Sequence, residues 1–155
     1  MKALVVFYSR SGTTKKVACE LSRLLSADVD EILDVKSRGG PFGYLRSGKE
    51  ASMKELPEIR GTTKNPSDYE LVVVGTPIWS WTLSSPVRAY LVKNAGKFAS
   101  VAFFCTQVGS GAETAFAEME KLCGMRPRAT LALTAKQVVG GGYMQELKGF
   151  VSQIP

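Results

Sequence analysis

Short apolar runs along this chain alternate with stretches in which apolar residues recur at helical spacing. Leu4 to Tyr8 is an unbroken run of apolar, β-branched and aromatic residues, the pattern of a strand covered on both faces within a parallel sheet. Small hydroxylated residues follow, and then Val17, Ala18, Leu21, Leu24 and Leu25 mark one helix face, so the turn delivers the chain into a helix N-terminus. Asp28 to Val35 reads as a short edge strand with Val29, Ile32, Leu33 and Val35 as its apolar members. Leu71 to Gly75 reads as a second buried strand that breaks into the loop Thr76 to Trp81. Ser85 and Pro86 then suit the cap and first position of a helix reaching about Asn94. Ser100 to Cys105 is a third buried strand, followed by the small-residue loop Thr106 to Gly111. Ser110 and Glu113 have capping-box spacing ahead of a helix faced by Ala115, Phe116, Met119, Leu122 and Cys123. Arg128 to Ala135 reads as the last strand, and Met144, Leu147, Phe150, Val151 and Ile154 line a closing helix. Between Lys36 and Asp68 the periodicity is weak, with a short helix expected over Ser47 to Leu56.

Five strands alternating with helices predict one α/β domain over residues 1–155: a doubly wound parallel sheet with helices on both faces and right-handed crossovers. In such a sheet ligands bind outside the carboxyl ends of the strands, where the winding reverses. The loops after the first, third and fourth strands converge there.

Composition narrows the chemistry. The chain has no histidine, which excludes Ser-His-Asp and Cys-His triads and the usual metal-ligand sets. Cys19, Cys105 and Cys123 are widely spaced with no CxxC pair, so neither a disulfide framework nor a zinc site is expected. No apolar run approaches a membrane span and no secretory pattern opens the chain, which suggests a cytoplasmic protein without membrane association. The net charge is +6, concentrated between Lys36 and Lys64, where seven basic and three acidic residues stand. No aromatic strand face or recognition-helix motif accompanies that charge, so nucleic acid is not the expected partner. A solvated basic surface or a docking patch for an acidic protein accounts for it.

The first loop, Ser9-Arg-Ser-Gly-Thr-Thr14, has the makings of an anion site. Helix amides face outward, Ser9, Ser11, Thr13 and Thr14 add hydroxyls, and Gly12 allows close approach. Arg10 and Lys15 either neutralise such an anion or point to solvent. Trp79 and Trp81, two indoles within three residues, suggest a flat ligand to stack upon, against the alternative that both cover the core. A nucleotide P-loop is excluded by the absence of GxxxxGK[ST], and Gly109 to Thr114 only half matches GxGxxG after the wrong strand.

These motifs resemble those of the flavodoxin-like family, over essentially the whole chain. Tyr8-Ser-Arg-Ser-Gly-Thr-Thr14 is similar to its phosphate loop, Gly75-Thr-Pro-Ile-Trp79 to its second loop and Cys105-Thr-Gln-Val-Gly-Ser-Gly111 to its third. The resemblance implies strand order 2-1-3-4-5 and a non-covalently bound FMN. Ser9, Arg10, Ser11, Gly12, Thr13 and Thr14 would surround the phosphate. Thr76, Pro77, Ile78 and Trp79 would line one side of the isoalloxazine, and Thr106, Gln107, Gly109 and Gly111 would approach the other. It implies electron transfer to a redox partner protein, with the basic segment pointing to an acidic one, and no catalytic side chain. Two alternatives stand beside it: an NAD(P)H-dependent reductase of quinones or other small acceptors, and an interaction module that keeps the fold without the flavin. The chain departs from many acidic electron-carrier flavodoxins in its basic charge and its few carboxylates near the site loops.

Overall fold

The computed structural model describes residues 1–35, 43, 45–49 and 56–154. Its strands are β1 (Ala3–Phe7), β2 (Asp28–Glu31), β3 (Leu33–Asp34), β4 (Ile59–Arg60), β5 (Leu71–Trp79), β6 (Thr82–Leu83), β7 (Val101–Gln107) and β8 (Thr130–Thr134). The helices are α1 (Thr13–Leu25), α2 (Ser85–Lys93), α3 (Ala112–Cys123), α4 (Ala135–Gly140) and α5 (Met144–Ser152), with residues 43 and 45–49 also helical. Five parallel strands lie in the order β2-β1-β5-β7-β8, the expected 2-1-3-4-5 winding.

The apolar runs go where their pattern sends them. Leu4, Val6, Val72, Val74 and Phe103 face a core closed by Val87, Tyr90 and Leu91 of α2 and by Ala115 and Met119 of α3. Val5, Phe7, Val73 and Phe104 face the opposite core, closed by Val17 and Leu21 of α1, Val138 of α4, and Leu147 and Phe150 of α5. Both faces of the central strands are thus dry, as an apolar run without alternation requires. Among the described residues no helix is long and apolar enough to cross a membrane.

Several boundaries differ from the sequence reading. The expected edge strand divides: β2 pairs with β1, while β3 turns away to pair antiparallel with β4. Ile32 is buried between them, but Val29, Leu33 and Val35 are exposed, and Asp30 is buried instead. Asp30 tolerates this because its carboxylate accepts the Thr63 and Lys64 amides at 3.0–3.1 Å. β5 does not stop at Gly75. It runs on to Trp79, and Gly75 is needed for space, since a Cβ there would lie 2.0 Å from Cζ of Phe104, its cross-strand neighbour on β7. Ser84, not Ser85, caps α2. The capping box expected at Ser110 does not form, because Gly111, at φ 119°, occupies the cap of α3. A capping box occurs instead at Thr134 and Gln137, where it opens α4, a helix that the sequence reading passed over. Of the helix expected over Ser47 to Leu56, residues 47–49 are helical, Leu56 is not, and residues 50–55 lie outside the described residues.

Candidate functional site

The carboxyl ends of β1, β5 and β7 open into one pocket of about 490 Å³. The first loop builds its base. Ser9 does not line it: its hydroxyl accepts the Gly12 amide at 3.0 Å and so tightens the turn. Gly12, at φ 99°, serves as the cap of α1 in a left-handed conformation that favours glycine. The helix has no side-chain cap and no acidic residue in its first turn, so its leading amides and positive dipole end remain available to an anion. Ser11, Thr13 and Thr14 line the pocket above that end. The Thr14 hydroxyl shares a buried 2.8 Å hydrogen bond with that of Thr106, which ties the first loop to the end of β7. Among the described residues Arg10 is the only charged one on the pocket wall, whereas Lys15 turns aside to Glu31 at 3.2 Å.

The second wall is a hairpin rather than a loop. β5 continues into β6 with Trp79 opposite Thr82, leaving Ser80 and Trp81 as a two-residue turn. Both have positive φ, 48° and 61°, which is the type I′ geometry that Asn-Gly normally supplies. Pro77, Ile78, Trp79 and Trp81 face the pocket. Trp79 is held edge-on by the Tyr8 ring at 5.5 Å, while Trp81 is 69% exposed at the rim. Thr76 stays out of the wall: its hydroxyl accepts the Ser84 amide at 2.9 Å and is buried beneath the hairpin.

The third wall is the end of β7 and its glycine-rich loop. Thr106, Gln107 and Gly109 line it, and the side-chain oxygen Oε1 of Gln107 is buried without a hydrogen-bond partner. Gly111 lies behind the wall, where a Cβ would come within 2.8 Å of Ile78 Cγ2 and of Trp81 Cα; it lets the third loop press against the hairpin. Cys105 is buried in β7, and burial alone pushes its thiol up to about 12, which agrees with a structural thiol.

The structure therefore brings Arg10, Ser11, Thr13, Thr14, Pro77, Ile78, Trp79, Thr106, Gln107 and Gly109 around one space, while Ser9, Gly12, Thr76 and Gly111 shape that space from behind. Sequence reasoning missed Ser47, Gly48, Ser80, Val108 and Ala135, which also line it. Ser47 and Gly48 come from the weakly periodic connection and have no local signal. The Ser80 hydroxyl donates to the Gly48 carbonyl at 3.0 Å, fastening that segment to the hairpin, and Arg46 reaches Asp34 at 3.4 Å. Phe42 and Tyr44, the aromatics expected either to cover the site or to pack beneath the connection, lie outside the described residues. Val108, 93% exposed between polar neighbours, is the one residue whose type could have marked it.

Comparison with known proteins agrees with this geometry. The FMN complex of a flavoprotein from Lactobacillus acidophilus NCFM is similar at TM-score 0.74 and 22% identity, over 90% of this chain and 97% of that one. The two-electron-reduced flavodoxin of Megasphaera elsdenii is similar at TM-score 0.60 and 14% identity, over 97% and 96%. No curated protein matches. The family model described as Flavodoxin matches residues 2–153, and with the 2-1-3-4-5 winding and three loops meeting at its switch point, the chain belongs to the flavodoxin family.

Proposed function

We propose that this chain binds FMN in the pocket and passes electrons through it. The observation that carries the reading is the wall itself, in which an uncapped helix end, two indoles and an unpartnered buried amide oxygen meet, with no carboxylate among the described lining residues. When bound, FMN supplies the redox chemistry through its isoalloxazine. The residues supply position and field. Ser11, Thr13 and Thr14, with the first amides of α1, hold the phosphate through neutral donors, and Arg10 adds one positive charge. Trp79 and Trp81 flank the flat ring system, and Pro77 and Ile78 exclude water from the same side. Gln107 Oε1 accepts an N–H from the ligand, which gives that buried oxygen the partner it lacks. No side chain acts as acid or base. The electron partner is an acidic protein, on the strength of the basic excess between Lys36 and Lys64.

A second reading, an NAD(P)H-dependent reductase of small acceptors, draws on the extra wall. Ser47 and Gly48, clamped by Ser80, bound the pocket on a side where a second substrate could rest. Bleaching of bound flavin by NADPH alone favours the reductase, and indifference to both nicotinamides favours the carrier.

The deciding experiment is the visible spectrum of the purified protein after incubation with FMN and removal of free ligand. Bands near roughly 370 and 450 nm, at about one flavin per chain, are expected. A colourless protein would withdraw the electron-transfer reading.

A further inference from the structure

A second cavity, of about 240 Å³, lies at the other end of the sheet. It is formed by the turn from Thr62 to Pro66, which leads toward the start of β5, and by the carboxyl end of α2, which leads toward the start of β7. The electron-transfer site opens at the opposite, carboxyl ends of these strands, so the two are separate. Lys64, Lys93 and Lys97 line the cavity together with Thr62, Thr63 and Tyr90. None of the three lysines is in an ion pair with another described residue.

We propose that this cavity is a binding site for a phosphate-class oxoanion, held by Lys64, Lys93 and Lys97 and by the hydroxyl of Tyr90. Tyr90 is the second observation that a lysine cluster alone would lack. Its side chain is 1% exposed, its ring packs on Phe98 at 6.4 Å, and its hydroxyl is buried without a hydrogen-bond partner. A buried hydroxyl left unpaired is destabilising, and the chain does not otherwise need it, since phenylalanine would fill the same space. The helix end could attract lysines through its dipole, but that attraction leaves the orphan hydroxyl unexplained.

Asp30 is the buried carboxylate beside this turn. It is occupied by the Thr63 and Lys64 amides, which point inward to it, so the turn that carries Lys64 offsets part of its charge. Burial first, then the Asp30 charge and Cys123, push the Tyr90 phenol up, which keeps it protonated as a donor. The Asn94 side-chain amide is already committed to the Tyr90 carbonyl at 2.9 Å, which closes the helix end. Lysine ammonium groups on flexible stems suit a multiply charged oxoanion as point charges.

The test is an amide-resolved NMR titration of the full chain with inorganic phosphate and pyrophosphate, at constant ionic strength against chloride and with FMN in excess. Amides of residues 9–15 report on the first pocket, and those of 62–64 and 94–97 on the second, so failure of the flavin reading and failure of this one are seen separately. Saturable shifts confined to the second set are expected. Lys93→Gln/Lys97→Gln should weaken them roughly tenfold. Tyr90→Phe should weaken them about threefold or more without lowering the melting temperature, because it removes an atom with no protein partner. Shifts that are absent or fail to saturate, or an affinity unchanged in either variant, overturn the proposal.

Discussion

On the flavin reading, Gln107 is a single residue shaped for a ligand. Its Oε1 is buried at the end of β7 without a protein partner, which costs free energy that a ligand donor would relieve on that reading. Gln107→Met keeps the length and removes the orphan, so the free protein should be as stable as the parent or more so by up to about 1 kcal/mol. FMN should bind about tenfold more weakly, near the lower end of the roughly 1–3 kcal/mol that a lost buried hydrogen bond is worth. Thermal melts with and without FMN, together with a flavin-fluorescence titration, check both halves. A variant that melts lower yet binds equally well would return Gln107 to a purely structural role. At this scale the sequence was legible where chemistry follows residue type, as with the hydroxyls of Ser11, Thr13 and Thr14. It was misleading where a residue serves a neighbour distant in sequence. Gly75 looked like a strand end because glycine commonly punctuates the chain, yet it continues β5 so that the Phe104 ring can lie against it. Thr76 looked like a wall residue, yet its hydroxyl braces Ser84.

The β5–β6 hairpin raises the same issue for an element. A two-residue turn with both φ values positive calls for Asn-Gly, and Ser80-Trp81 carries no such signal, which is why these residues read as a loop. The left-handed conformation is costly for a side chain as bulky as tryptophan, about 1–3 kcal/mol at a strained position. Such strain persists where the surroundings enforce it, and here Gly111 presses against Trp81 while Ser80 clamps Gly48. Ser80→Asn/Trp81→Gly supplies the turn chemistry that the backbone wants. It should raise the stability of the free protein by about 1 kcal/mol, read by chemical denaturation, and weaken FMN about tenfold through loss of the indole. Unchanged FMN affinity would show that Trp81 is only a rim residue. The α4 helix was hidden for a related reason: its capping residue, Thr134, is also the last residue of β8, so strand and helix signals overlap at one position.

For the molecule as a whole, charge is the property least visible in any one loop. The fold was legible because both faces of a parallel sheet are buried, and burial leaves unbroken apolar runs; the field depends on where twenty basic and fourteen acidic residues end up in space. Among the described residues the pocket wall holds Arg10 and no carboxylate, inside a chain of net charge +6. On the flavin reading, reduction to the anionic form places negative charge in a positive surrounding, which favours it. Salt screens that field, with a Debye length of about 8 Å at physiological ionic strength, so added salt should make full reduction harder. Potentiometric titration from low to high salt should therefore lower the second midpoint potential by roughly 20 mV, about 0.5 kcal/mol for a one-electron step. In an acidic carrier the same screening weakens a repulsion, and the potential moves upward. The sign thus separates the two electrostatic designs without needing the absolute potential. A rise with salt here would mean that carboxylates beyond the pocket wall dominate the field at the flavin, and that the basic excess acts only at the docking surface.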